Sequence, residues 1–115
     1  MDAPAIDRAT FAELQDAAGA EFVTELVDTF LEDAPALLAE LRSARAATDA
    51  DRFRRAAHSL KSNSHTFGAA ALGALARELE LQGLDADPAR DLAAIDAIDA
   101  AYATAAAELR DLRHG

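Results

Sequence analysis

Apolar residues recur at steps of three and four along most of the chain, which is the spacing of one face of an α-helix. The longest such series runs from Ala20 to about Ala47 and contains Phe22, Leu26, Phe30, Leu37, Leu38, Leu41 and Ala44. Pro35 lies inside this series. Because a proline within a helix removes one backbone hydrogen bond and crowds the preceding turn, we expect either a kink near Asp33 or a break there.

Residues typical of helix ends stand between the apolar series. They are Asp7, Gly19, Thr48 with Asp51, Gly68, Gly83 and Asp87 with Pro88. Side chains of Asp and Thr accept hydrogen bonds from the first amides of a helix, and glycine adopts the left-handed conformation that ends one. Together with the apolar spacing, these residues predict helices that end near Ala18, cover 20–47, 49–66 and 69–82, and begin near Pro88.

Four amphipathic helices joined by short loops predict an all-α fold, namely an antiparallel four-helix bundle with the short N-terminal helix covering one end. The composition agrees, because roughly thirty alanines and only 5% aromatic residues favour closely packed helices over a sheet. A chain of 115 residues suffices for one core, so we expect a single domain over 1–115. With no cysteine, the chain has no disulfide, thiol nucleophile or cysteine-based zinc site.

The net charge of −10 argues against nucleic acid as a partner, since 21 acidic residues oppose 11 lysines and arginines. Residues 1–5 contain neither the basic nor the apolar region of a signal peptide. No stretch reaches the ~20 apolar residues that cross a bilayer. We therefore expect a cytoplasmic protein without membrane insertion, and near-complete use of the chain by one bundle predicts that it is free-standing.

The third helix combines an apolar face with a polar strip. At about 100° per residue from His58, the residues Phe53, Leu60 and Phe67 fall between about 140° and 220°, so the core lies opposite His58. Within about 60° of His58 lie Arg54, Arg55, Lys61, Ser62 and His65. We call these six residues, His58 included, the His58 strip. It is predicted to be exposed and locally basic, and Lys61 is the only lysine in the chain.

An exposed histidine in basic surroundings has the chemistry of a phosphoryl acceptor. Its ordinary pKa near 6.5 leaves a free ring nitrogen at neutral pH, and cations one turn away offset the charge of a phosphoryl group. Phosphoryl transfer depends mainly on positioning and charge neutralisation, and a partner can supply the divalent cation and the acceptor carboxylate. Taken alone, however, a helical histidine is more often a solvated or core side chain.

The stretch 57–69 reads A-H-S-L-K-S-N-S-H-T-F-G-A. It resembles the signature of the histidine-containing phosphotransfer (HPt) family, A-H-x-L-K-G-x-[SA]-x-x-[LF]-G-A. The likeness extends over roughly residues 7–112. The flanking positions that resemble the family's neighbouring helices are Phe30-Leu31, Leu38, Leu41 and Ala44 before the signature, and Leu72, Leu75, Leu79-Glu80 and Gly83 after it.

This resemblance implies a role for each matching residue. His58 is expected to be the phosphorylated histidine, Lys61 its basic neighbour and Gly68 the residue that closes the helix. The implied partner is the aspartate of a receiver domain, in a hybrid histidine kinase or a response regulator, and that domain carries the Mg²⁺. The chain itself then needs no cofactor or metal, and is expected to be a monomeric, stoichiometric phosphoryl carrier rather than an enzyme with turnover of its own.

Ser62 departs from the signature, which usually has glycine at that position. Since serine is small, we expect altered partner preference rather than lost transfer. Arg54 and Arg55 are either docking residues or a solvated helix face. His65 is a second acceptor, a metal co-ligand or a surface residue, and we expect surface or receiver contact, because two histidines about 10 Å apart along a helix do not chelate one metal unaided.

Other residues add less to the functional prediction. Phe30 is expected in the core, whereas its neighbour Leu31 is a candidate docking residue. His114, in the terminal tail, is expected to have no role. Two other interpretations stay open: a helical adaptor that binds a receiver domain or kinase through the same strip without phosphoryl chemistry, and the dimerisation and phosphoacceptor fragment of a sensor kinase, which builds its bundle from two chains.

Overall fold

The computed structural model describes residues 5–113, and every regular element in that range is a helix. The elements are α1 (Arg8–Ala18), α2 (Ala20–Ala47), α3 (Ala50–Thr66), α4 (Ala70–Gln82) and α5 (Pro88–Leu112). The prediction of an all-α fold is confirmed, and the predicted helix ends agree to within one residue. His114 lies outside the described residues, as do residues 1–4 and Gly115.

Aspartates cap three of the helices. The carboxylate of Asp7 accepts from the amides of Ala9 and Thr10, and that of Asp87 accepts from the amide of Ala89. The predicted capping box of Thr48 and Asp51 is wrong by one residue, because the carboxylate of Asp49 caps α3. Thr48 instead ends α2 in the left-handed conformation, with φ 53°. Two residues join α2 to α3, so one must close the first helix while the other opens the second.

Helix α2 continues through Pro35, which excludes the predicted break. Proline has no amide hydrogen, so the carbonyl of Leu31, one turn earlier, loses its partner within the helix. The hydroxyl of Tyr102 on α5 donates to that carbonyl at 3.3 Å. Burial raises the pKa of Tyr102, which keeps its hydroxyl protonated as a donor. A side chain from another helix thus replaces the hydrogen bond that Pro35 removes.

This replacement predicts an energetic coupling between two positions that are 67 residues apart in the sequence. Tyr102→Phe is expected to lower the free energy of unfolding by about 1 kcal/mol, since one partly buried carbonyl loses its donor. In a Pro35→Ala background the amide of residue 35 supplies that donor, so Tyr102→Phe should then cost much less. Urea denaturation of the four proteins in this cycle measures the coupling. Equal costs in both backgrounds would contradict it.

The helices pack in a closed order around one hydrophobic core: α3 contacts α2 and α4, α5 also contacts both, and α1 packs on α2. The core contains the predicted apolar faces, among them Phe30, Leu41, Leu60, Leu72 and Leu109. Phe22 of the predicted α2 series is exposed instead, with 52% of the residue accessible to solvent. Val23 beside it is 1% accessible, so the buried side of α2 in this turn lies one residue further along than the apolar spacing predicts.

Among residues 5–113, none of the helices has the length and apolar character that crossing a membrane requires.

Candidate functional site

His58 lies exposed on the surface of α3, with 58% of its side chain accessible to solvent. Phe53 and Leu60 on the opposite side of α3 are completely buried, and Phe67 is 3% accessible. The prediction that His58 points away from the core is therefore confirmed. A 17-residue helix that packs on both α2 and α4 holds this histidine on a rigid element.

The nearest polar neighbour of His58 is Glu80 on α4. One carboxylate oxygen of Glu80 lies 2.6 Å from Nδ1 of His58, and the other accepts a hydrogen bond from Nζ of Lys61 at 2.7 Å. The Glu80 side chain is only 18% accessible. The hydrogen bond from Lys61 lowers the pKa of Glu80 most, burial opposes this by raising it, and the contact with His58 lowers it further.

The Glu80 contact determines which nitrogen of His58 is free. An ionised carboxylate only accepts hydrogen bonds, so the hydrogen between the two groups belongs to Nδ1. In the neutral imidazole, the lone pair then lies on Nε2, at the edge of the ring that Glu80 does not hold. The carboxylate also changes the electrostatics of the His58 strip: the charge of Lys61 is paired with Glu80, so the predicted basic strip contains an anion at its centre.

The other exposed residues of the His58 strip differ in the groups that their side chains contact. The guanidinium of Arg54 lies 3.5 Å from the position that a Cβ at Gly83 would occupy, at the end of α4. Arg55 is exposed and donates to the carbonyl of Asp51 at 3.4 Å. Ser62 and His65 are exposed as well, and the ring of His65 rests on Gly73 of α4.

The family of the chain follows from comparison with known proteins. The model of the Hpt domain family matches residues 25–112. The chain belongs to the Hpt family. It is also similar to the crystal structure of histidine-containing phosphotransfer protein B (HptB) from Pseudomonas aeruginosa PAO1, with 30% sequence identity and a TM-score of 0.84. The likeness covers 98% of this chain and 97% of that one. Comparison with curated protein sequences found no significant match.

The Hpt match includes all of the His58 strip and Glu80, whereas α1 precedes it. Gly68, the last glycine of the Hpt signature, has φ +78°. Its amide donates to the carbonyl of His65, and the amide of Ala69 donates to that of Ser64, a pattern that ends helices on a left-handed residue. A Cβ at Gly68 would lie 3.0 Å from the carbonyl oxygen of Asp7, so α1 packs where only glycine leaves room.

A groove between α2 and α3 lies beside the His58 strip in the Hpt domain. Its cavity of about 200 Å³ is lined by Leu26, Thr29, Phe30, Asp33, Asn63, Thr66 and Phe67. The sequence did not predict this groove, because its lining is shared between two helices whose relative position no local pattern gives. Leu31 is half-buried against the core on another side of α2, with its carbonyl toward Tyr102 of α5. Its docking role stays a prediction.

No three metal-ligating side chains lie together within the described range 5–113. His58 and His65 in particular have different neighbours, Glu80 for the first and Gly73 for the second.

Proposed function

We propose that His58 accepts a phosphoryl group at Nε2 from the aspartate of one receiver domain and passes it to the aspartate of another. The protein is a histidine phosphotransfer protein of a phosphorelay, as its Hpt family membership and its likeness to HptB indicate. The observation that carries the assignment of the residue is the exposed His58 ring, whose Nδ1 is held by Glu80, so that Nε2 is the nitrogen outside this contact.

The transfer step follows from the protonation state of this ring. The Nε2 lone pair attacks the phosphorus of the aspartyl phosphate in line, and the bond to the aspartate oxygen breaks with its electrons on the departing carboxylate. Positive charge develops on the imidazole, whose Nδ1 keeps its hydrogen. The carboxylate of Glu80 stabilises that charge, and the hydrogen bond from Lys61 keeps Glu80 ionised for this role. The reverse step returns the histidine unchanged, so the chain acts as a stoichiometric carrier without a cofactor.

The rigid support for this chemistry is, we infer, an antiparallel four-helix bundle of α2 to α5 in a single domain over 1–115, with α1 capping one end. Side-chain pairs between neighbouring helices support opposite directions. Between α2 and α5, Arg42 pairs with Asp96 near one end of α2, and Asp28 pairs with Arg113 near the other. Between α2 and α3, Glu40 pairs with Arg52, whereas Leu26 lines a groove together with Phe67.

The partner is, on this proposal, a receiver domain of a hybrid histidine kinase or a response regulator, and it holds the Mg²⁺. Glu80 on α4 occupies Nδ1, so Nε2 is reached from the other side of the ring. Arg54, Arg55, Ser62 and His65 lie exposed on α3 together with His58 and are the proposed docking residues, with Ser62 tuning partner preference. We propose that the carrier works as a monomer in the cytoplasm.

Transfer from a panel of purified, radiolabelled phosphorylated receiver domains tests this function. We expect at least one receiver to label the protein with an acid-labile, base-stable adduct on His58. His58→Gln should abolish labelling with no loss of helicity, because the exposed ring contributes little to packing. Lys61→Ala should slow transfer and leave the melting temperature nearly unchanged.

Two results would contradict the proposal in different ways. Receivers that bind but never label His58 would identify a helical adaptor. Labelling that survives in His58→Gln would move the acceptor to another residue. An obligate dimer in a size measurement would favour the sensor-kinase fragment over the monomeric carrier.

A further inference from the structure

The ring of His65 occupies the space that a side chain at position 73 would need. An ideal Cβ on Gly73 would lie 2.7 Å from Cε1, 2.9 Å from Nε2 and 3.0 Å from Nδ1 of that imidazole. Three ring atoms at similar distances mean that the flat face of the ring lies on the backbone of α4. Glycine inside a helix costs about 1 kcal/mol relative to alanine, so its presence here calls for a compensating contact.

The contact between His65 and Gly73 stands in register with the one between His58 and Glu80. Seven residues separate the two histidines on α3, and seven residues also separate Gly73 from Glu80 on α4. Seven residues are close to two helical turns, about 10 Å along each axis. The two contacts therefore join the same pair of helices at points two turns apart. The distance between α3 and α4 at one contact limits their distance at the other.

We propose that His65 is a positioning residue for phosphotransfer: its imidazole, seated on Gly73, sets the separation and register of α3 and α4 that hold Glu80 against Nδ1 of His58. The inference rests on the proposed function of His58 and extends it to a residue two turns away. It assigns the packed face of the His65 ring to α4, whereas the exposed face remains in the proposed docking surface.

A larger residue at position 73 or a smaller one at 65 should therefore act on His58 from a distance. In Gly73→Ala the new methyl group pushes the imidazole outward, and α4 with Glu80 moves relative to α3. In His65→Ala no ring contacts Gly73, and the register between α3 and α4 is no longer held at this point. The double variant His65→Ala/Gly73→Ala removes the clash and fills part of the space with two methyl groups, so it should approach the parent protein.

The experiment compares the parent with these three variants by two measurements. The ¹⁵N shifts of the His58 ring report whether Nδ1 carries the hydrogen, and they need no partner. Transfer from a labelling receiver gives the rate. We expect Gly73→Ala to move His58 toward a mixture of tautomers and to slow transfer about fivefold to tenfold, the effect of losing most of one charge-assisted hydrogen bond. His65→Ala should act in the same direction, and the double variant should recover both readouts.

Ala74→Gly is the matched control, because it changes helix propensity at the neighbouring, exposed position of α4. It should leave the His58 ring signals unchanged. Should Gly73→Ala not fold, His65→Ala and the double variant still test the register.

The outcomes separate this inference from the proposed function. Unchanged His58 signals in both single variants would overturn the positioning role. Slow transfer in His65→Ala and in the double variant, with normal His58 signals, would also overturn it and assign His65 to direct receiver contact. Altered signals with recovery in the double variant would support the register role even if no receiver labels the parent, a result that would refute only the phosphotransfer function.

Discussion

Asp91→Ala is expected to lower the free energy of unfolding by about 3–5 kcal/mol, the typical cost of removing one partner from a buried ion pair. Asp91 is 3% accessible and accepts from Nη1 of Arg45 at 2.6 Å and from the amide of Asp85 at 2.9 Å. The same Arg45 nitrogen donates to the carbonyl of Asp85 at 2.7 Å. Without the carboxylate, the guanidinium of Arg45 remains buried, and its Nε already lacks a hydrogen-bond partner.

Urea denaturation provides the measurement for Asp91→Ala, and an exposed ion pair between the same two helices provides the control. Asp96 accepts from Arg42 at 2.9 Å, but its side chain is 70% accessible, so Asp96→Ala should cost less than about 1 kcal/mol. The double variant Arg45→Met/Asp91→Leu should recover much of the loss, because it leaves no unpaired buried charge. Similar costs for the two aspartates would mean that Asp91 contributes no more than a surface charge.

Glu80→Ala is expected to slow phosphotransfer about tenfold, since a charge-assisted hydrogen bond to the reacting ring is lost. The His58 imidazole then rotates more freely, and its hydrogen is no longer held on Nδ1. The positive charge that develops on the ring during attack also loses its counter-ion. Rates of transfer from a phosphorylated receiver measure the effect, and ¹⁵N shifts of His58 report the tautomer directly.

Glu78→Ala is the matched control for Glu80, because it removes an exposed glutamate from the same helix, two residues away. It should leave transfer unchanged. Glu80→Gln should fall between the parent and Glu80→Ala, since an amide oxygen still accepts from Nδ1 but carries no charge. Transfer at the parental rate in Glu80→Ala would show that the ring is positioned by other means.

The lowered pKa of Glu80 also predicts a dependence of stability on pH. A carboxyl group with a lower pKa in the folded state stabilises the fold above its unfolded pKa, and that contribution disappears as the pH falls through the lowered folded value. The difference in melting temperature between the parent and Glu80→Gln should therefore be present at pH 7 and vanish in strong acid.

The exposed histidine could be predicted from the sequence because its orientation depends on the geometry of one helix, α3. Positions 53–67 determine by their spacing alone that His58 lies opposite Phe53 and Leu60. The signature around His58 adds the chemistry. The same reasoning failed at Phe22, whose spacing fits the apolar face of α2 although its neighbour Val23 is the residue that is buried. Where two neighbouring residues are both apolar, periodicity alone does not decide which of them faces the core.

Glu80 shows why the rest of the site could not be assigned from the sequence. In α4 it is one of two glutamates two residues apart, and the apolar spacing does not distinguish it from Glu78. The resemblance to the HPt family includes Glu80 but assigns it no contact with His58. Gly73 likewise appears in the sequence only as a residue that destabilises a helix, and its contact with the ring of His65 is visible only in the structure. Both residues acquire their significance from atoms on α3.

The amino-acid sequence by itself determined the helices, the capping aspartates Asp7 and Asp87, the glycines at helix ends and the solvent-facing histidine, because each depends on interactions within a few residues. Only the tertiary structure decided that one carboxylate joins His58 to Lys61, that Tyr102 replaces the hydrogen bond lost at Pro35, and that His65 lies on Gly73. These contacts depend on the distance and register between helices. Those quantities are set by the packing of the whole core, which no local pattern encodes.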